Sequence, residues 1–118
     1  MDLPSSSRIP GRLVPASGGR VPVRVRGFVE GAALSRPRRS VRRFAVVLAR
    51  STDHDVVKVV DGGTVLGYLP PAWSQVVDFE LWACEQASEP AVARAMLEGA
   101  RGDRDLFVFL DWPRGRLA

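Results

Sequence analysis

The sequence predicts a mainly β fold of the α+β class, a small five- to six-stranded barrel of the oligonucleotide-binding or SH3 type carrying one or two helices. Three observations predict it. Residues 56–60 and 64–69 are apolar, β-branched runs flanking Asp61-Gly62-Gly63, a step that supplies the positive φ angles a tight hairpin needs. Val21, Val23 and Val25 alternate with Pro22, Arg24 and Arg26, the two-residue period of a strand with one wet face. Residues 44–50 and 106–110 are short, nearly continuous apolar runs of the kind buried on both faces. At 118 residues the chain fits one domain with a single modest core, so these strands share it.

Taken in order, residues 1–20 are rich in Pro, Ser and Gly without periodicity and read as a flexible arm. A single barrel domain then spans 21–113, and 114–118 form a short tail. Gly27 interrupts the first strand as a bulge, and Pro22 restricts that strand to an edge or itself to the strand's first residues. Residues 31–43 form a loop with five arginines. Ser51-Thr52-Asp53-His54-Asp55 is a polar turn before the hairpin.

A helical insertion covers about 71–99. Pro71 suits a first helical turn, and Trp73, Val76, Val77, Leu81 and Cys84 share one face of a helix over 71–85. Phe79, Leu81 and Ala83 also alternate, which leaves a strand open for the end of this segment. A second helix is predicted near 89–98, with Ser88 as its cap, Pro90 in its first turn and Gly99 as its stop. Trp112-Pro113 ends the closing strand.

Hydrophobic content of 46% with 25% charged residues is that of a globular protein, and no apolar run approaches the roughly 20 residues of a bilayer span. Cys84 is the only cysteine, which excludes an internal disulfide and a four-cysteine zinc site. With no secretory apolar segment near the start, a cytoplasmic location is expected. Charge is bipolar. Residues 1–50 hold eleven arginines against Asp2 and Glu30, whereas residues 51–118 hold six basic residues against eleven acids. Such asymmetry fits a basic face for a polyanion, or mutual attraction of the two halves.

Catalytic chemistry finds little support. His54 is the only histidine, no nucleophile elbow is present, and Cys84 sits on the core face of the first helix. Asp53-His54-Asp55 reads as a solvated turn, because adjacent side chains of an extended segment point apart and no second His or Cys completes a metal shell. Gly62-Gly63 lacks the Lys-Ser/Thr of a phosphate loop. No enzyme, metal or cofactor is therefore expected. Small barrels that bind single strands combine a cationic groove with aromatic platforms. Arg24, Arg26, Arg50 and the loop residues Arg36, Arg38, Arg39, Arg42 and Arg43 supply the cations, and Phe28 and Tyr68 are the candidate platforms. Tyr68 could instead bond its hydroxyl to backbone.

The order Val-x-Val, Gly-Gly, Gly67-Tyr68-Leu69-Pro70 and then a helix resembles the HIRAN domain over roughly residues 21–85. Val25-Arg26-Gly27-Phe28 resembles the end of that family's first strand, Val47-Leu48-Ala49-Arg50 its Leu-x-Arg segment, and Val56-Val57-Lys58-Val59 the run before its hairpin. The resemblance implies an oligonucleotide-binding-like fold and recognition of single-stranded DNA 3′ ends in DNA repair, with His54-Asp55 as the remnant of the turn that holds the terminal nucleotide. The chain departs from the family in that shortened turn, in Val29-Glu30 where an aromatic pair is usual, and over 86–105. The expectation is a non-enzymatic DNA-binding module that prefers single strands or ends and uses the residues above together with His54. The competing expectation is an adaptor that docks an acidic protein or another copy of itself through an edge strand or the basic loop. No membrane partner is expected.

Overall fold

The computed structural model describes residues 11–30, 44–52, 55–100 and 102–112. In chain order these form β1 (Arg12–Leu13), β2 (Val21–Arg24), β3 (Phe44–Arg50), β4 (Val57–Asp61), β5 (Thr64–Tyr68), α1 (Pro71–Gln86), β6 (Ala91–Glu98) and β7 (Asp105–Leu110). One curled sheet runs β2-β7-β6-β3-β4-β5, antiparallel throughout, and β1 adds a short parallel pairing to β6. The two edge strands meet at one point. Arg26 N–H donates to the Tyr68 carbonyl at 2.8 Å and Tyr68 N–H donates back to the Arg26 carbonyl at 2.9 Å. The sheet is thus a half-barrel pinned edge to edge, the small-barrel architecture the sequence predicts.

Gly62 and Gly63 have φ of 60° and 86°, the pair of left-handed residues that a type I′ hairpin demands between β4 and β5. Further along, Val59 faces Gly67 while Val60 faces Val65, so Leu66 is the extra residue of a bulge. Leu66 turns inward and is buried. Gly67 is dictated by the closure, since a Cβ there would lie 2.4 Å from the Arg26 carbonyl oxygen and 2.6 Å from Val25 Cγ1.

On the concave face, the core is built from Val23, Val25, Phe44, Val46, Leu48, Val57, Val59, Leu106 and Val108, with Val77, Leu81 and Cys84 from α1 closing it. The Ser74 hydroxyl accepts Val57 N–H at 3.2 Å and Leu69 N–H donates to the Val57 carbonyl at 3.0 Å, which fixes the start of α1 against β4. The helix expected over 71–85 is present, and the strand alternative for its end is not realised.

Three expectations are corrected. The helix near 89–98 is instead the central strand β6, bonded to β3 on one side and β7 on the other. Ser88, read as a helix cap, has φ of 56° and terminates α1. Ser88 N–H donates to the Glu85 carbonyl and Glu89 N–H to the Cys84 carbonyl, the paired bonds of a Schellman stop with a left-handed residue just past the helix. Alanine's helix preference is a few tenths of a kcal/mol per residue and yields to packing: Phe44 faces Ala95, Val46 faces Ala93 and Leu48 faces Ala91. Each bulky residue of β3 meets a small one across the ladder, which fills a narrow barrel interior without overpacking it.

Of the flexible arm expected over 1–20, residues 11–20 are instead packed on the sheet, and 1–10 lie outside the described residues. Arg12 N–H donates to the Pro90 carbonyl, Val14 N–H to the Val92 carbonyl, and Val14 is 1% exposed. Finally, β3 is buried on its inner face only, because Ala45, Val47 and Ala49 are half-exposed on the outside. Among the described residues no helix is long and apolar enough to cross a membrane.

Candidate nucleic-acid interface

Period-two geometry divides β2 as the sequence requires. Val23 and Val25 are buried, and Arg24 and Arg26 are exposed on the convex face, about 6.6 Å apart at 3.3 Å per residue. Arg26 is the cross-strand partner of Tyr68, and Tyr68 is in turn the partner of Lys58. Residues directly opposite in antiparallel strands project to the same side with Cβ atoms roughly 4.5–5.5 Å apart. A phenol ring therefore stands between a guanidinium and an ammonium on one convex surface. Tyr68 is 40% exposed, and its side chain makes no hydrogen bond to any described residue.

Charges in this region differ in their engagement. Arg26, Lys58, Arg20 and Arg94 enter no ion pair among the described residues. Arg24 Nη2 lies 3.3 Å from Asp105 Oδ1, with both side chains well exposed, a pairing worth under about 1 kcal/mol that a phosphate displaces easily. Arg50 is different. Its Nε and Nη2 fork onto Glu85 at 2.9 and 2.6 Å, its Nη1 reaches Asp78 at 3.0 Å, and its side chain is only 11% exposed. The two carboxylates hold the Arg50 guanidinium well above its ordinary range, Glu85 contributing most. Arg50 thereby fastens the end of β3 to α1, with each of its three nitrogens bonded to a carboxylate. Phe28 is half-buried and packs against the core.

Arg36, Arg38, Arg39, Arg42, Arg43 and His54 lie outside the described residues. The roots of the arginine segment are fixed, however. Glu30, just before it, accepts Gly102 N–H at 2.9 Å, Arg104 N–H at 2.8 Å and the Arg104 guanidinium at 2.9 and 2.5 Å. These donors lower its carboxyl from 4.5 to about 2, the Arg104 side chain having the largest effect. Phe44, just after it, faces Ala95, which faces Val108. Both ends therefore leave from the end of the sheet that carries the β6–β7 turn, the end where Arg24 meets Asp105.

The described body holds eight basic residues against eleven acids, so most of the chain's positive charge belongs to the other segments. Two cations of the convex face escaped the sequence reading. Lys58 is one polar residue inside an apolar run, and its position beside Tyr68 follows only from the hairpin register. Arg94 fell within the segment read as a helix; it projects from the convex face of β6 over Gly18.

Catalytic candidates do not converge. Cys84 is 2% exposed, and burial pushes its thiol above its ordinary value, so it stays the neutral, poorly nucleophilic form. Among the described residues no group of three or more His, Cys, Asp and Glu side chains comes together. Comparison of the chain with protein-family models, with curated proteins and with solved structures finds no match.

Proposed function

We propose that the protein is a non-enzymatic DNA-binding module of the HIRAN type that prefers single strands or DNA ends. The observation that carries this reading is the row Arg26, Tyr68, Lys58 on the convex face, an aromatic platform flanked by two cations with no ion pair among the described residues. A base stacks on the phenol, worth about 1–3 kcal/mol, while the guanidinium and ammonium neutralise the adjoining phosphates. Arg24 extends the cationic track along β2. The segment with Arg36, Arg38, Arg39, Arg42 and Arg43 departs near the same end of the sheet and supplies further cations. The resemblance of Gly67-Tyr68-Leu69-Pro70 to the HIRAN pattern supports the same assignment.

Fluorescence anisotropy of a labelled single-stranded oligonucleotide tests it, with the 3′ end left open or blocked. Neutralising four phosphates at a slope of about −0.7 per phosphate predicts a roughly 50-fold weaker affinity at 200 mM than at 50 mM salt. Weaker binding of the blocked strand assigns end recognition. Salt-insensitive binding, or none, overturns the proposal.

A further inference from the structure

The residues of β7 alternate between two faces. Leu106, Val108 and Leu110 point inward and are fully buried. Phe107 points outward, is only half-buried, and belongs neither to the core nor to the half-buried apolar residues packed against it. Its ring stacks on no other ring among the described residues. Across the ladder it faces Arg24 on one side and Met96 on the other.

This register places a second aromatic ring beside the arginines of β2. Phe107 lies across from Arg24 on the β7 side, and Tyr68 lies across from Arg26 on the β5 side. Cross-strand partners project to the same face, so all four side chains stand on the convex surface. Two rings thus flank a spine of two cations. With strands roughly 4.8 Å apart and two residues between the rungs, the rings are separated by about 12 Å. Among the described residues, the one acid in an ion pair with this set is Asp105, held by Arg24 at 3.3 Å in the exposed pairing already described.

We infer that Phe107 is a second base platform, so that the site holds two successive nucleotides splayed to opposite sides of β2. The inference rests on the DNA-binding reading above and gives it a footprint. One base lies on Tyr68 and the next on Phe107, while Arg26 and Arg24 take the phosphates between and beside them, the latter in exchange for Asp105. The same spacing gives a physical reason for preferring single strands. Bases in a duplex stay stacked about 3.4 Å apart and cannot reach rings this far from one another, whereas an unstacked strand can.

The test is anisotropy of a labelled oligothymidylate, and of the same strand paired into a duplex, with the full chain and its Phe107 variants. Phe107→Leu keeps an apolar side chain on the sheet but removes the π face; it weakens the single strand at least about fivefold and leaves the duplex unchanged. Phe107→Tyr restores binding. Combined with Tyr68→Leu, the loss is the product of the two single losses, because the rings serve different bases. Thermal unfolding of each variant reports the fold separately. If the wild type binds the strand and Phe107→Leu binds it equally, or weakens strand and duplex alike, or is not rescued by Phe107→Tyr, the second platform is overturned while the DNA-binding reading stands. A wild type that binds no strand overturns both.

Discussion

Arg26 and Tyr68 exchange reciprocal backbone hydrogen bonds of 2.8 and 2.9 Å, and this one exchange joins the two edges of the sheet. It also sets the Tyr68 ring beside the Arg26 side chain on the convex face. The fold and the proposed site therefore share a single structural element.

Gly67→Ala tests the closure. The added methyl meets the Arg26 carbonyl oxygen at 2.4 Å and Val25 Cγ1 at 2.6 Å, and backbone cannot give way cheaply. Overpacking of this kind costs about 1–3 kcal/mol. Urea unfolding should show a lower midpoint with an unchanged slope, and an unshifted midpoint contradicts the closure.

Binding variants separate stacking from charge. Tyr68→Ala should cost about 1–3 kcal/mol in affinity for a single strand while leaving its salt dependence intact. Lys58→Ala and Arg26→Ala should each reduce the salt slope by about 0.7–1. Replacing Arg38, Arg39, Arg42 and Arg43 together by Ala should remove most of the affinity. Anisotropy at two ionic strengths reads all of these, and Arg50→Ala should act on stability rather than on the salt slope, because its charge is already paired with Glu85 and Asp78 and its side chain is largely buried.

Glu30 sets an acid limb of stability. Its carboxyl is held at about 2 in the folded chain against 4.5 ordinarily, so the folded state binds the proton more weakly than the unfolded one. The stabilisation is complete above about 4.5 and is lost as pH falls toward 2. Thermal midpoints of the wild type and Glu30→Gln should differ at pH 7 and converge between pH 4.5 and 2; a constant gap contradicts the assignment.

Ser88→Gly should stabilise the chain. Ser88 holds φ of 56°, a conformation that costs a residue with a Cβ about 1–2 kcal/mol and glycine little. After glycine's larger entropy loss on folding, a net gain of about 0.5–1 kcal/mol is expected in thermal or urea unfolding. Were 89–98 a helix capped by Ser88, the same change would be neutral or destabilising.

Local signals carried much of this architecture. The hairpin lay in Gly62-Gly63, the exposed arginines of β2 in a two-residue alternation, and α1 in Pro71 and the spacing of Val77, Leu81 and Cys84. What escaped was non-local. The segment of β6 satisfies every local rule for a helix, and only the bulky side chains of β3, more than forty residues earlier, make its alanines the residues of a central strand. β1 has two residues and exists because β6 offers it an edge. Arg50 read as a phosphate ligand because the carboxylates that engage it are far away in sequence; Asp78 and Glu85 reach it only through the packing of α1. Tyr68 was legible as a platform, whereas its cationic neighbour Lys58 became visible only with the register of β4 on β5.

Along the sheet path, the other junctions run over four or five registered residues, while among the described residues the seam that closes the sheet onto β5 has one bridged pair, Arg26 and Tyr68. Breathing of the half-barrel will begin there, so these two amides should exchange with deuterium sooner than those of β3 or β6. A strand laid across the phenol would bridge the seam from outside and slow that exchange, which turns the weakest joint of the scaffold into its own reporter of occupancy.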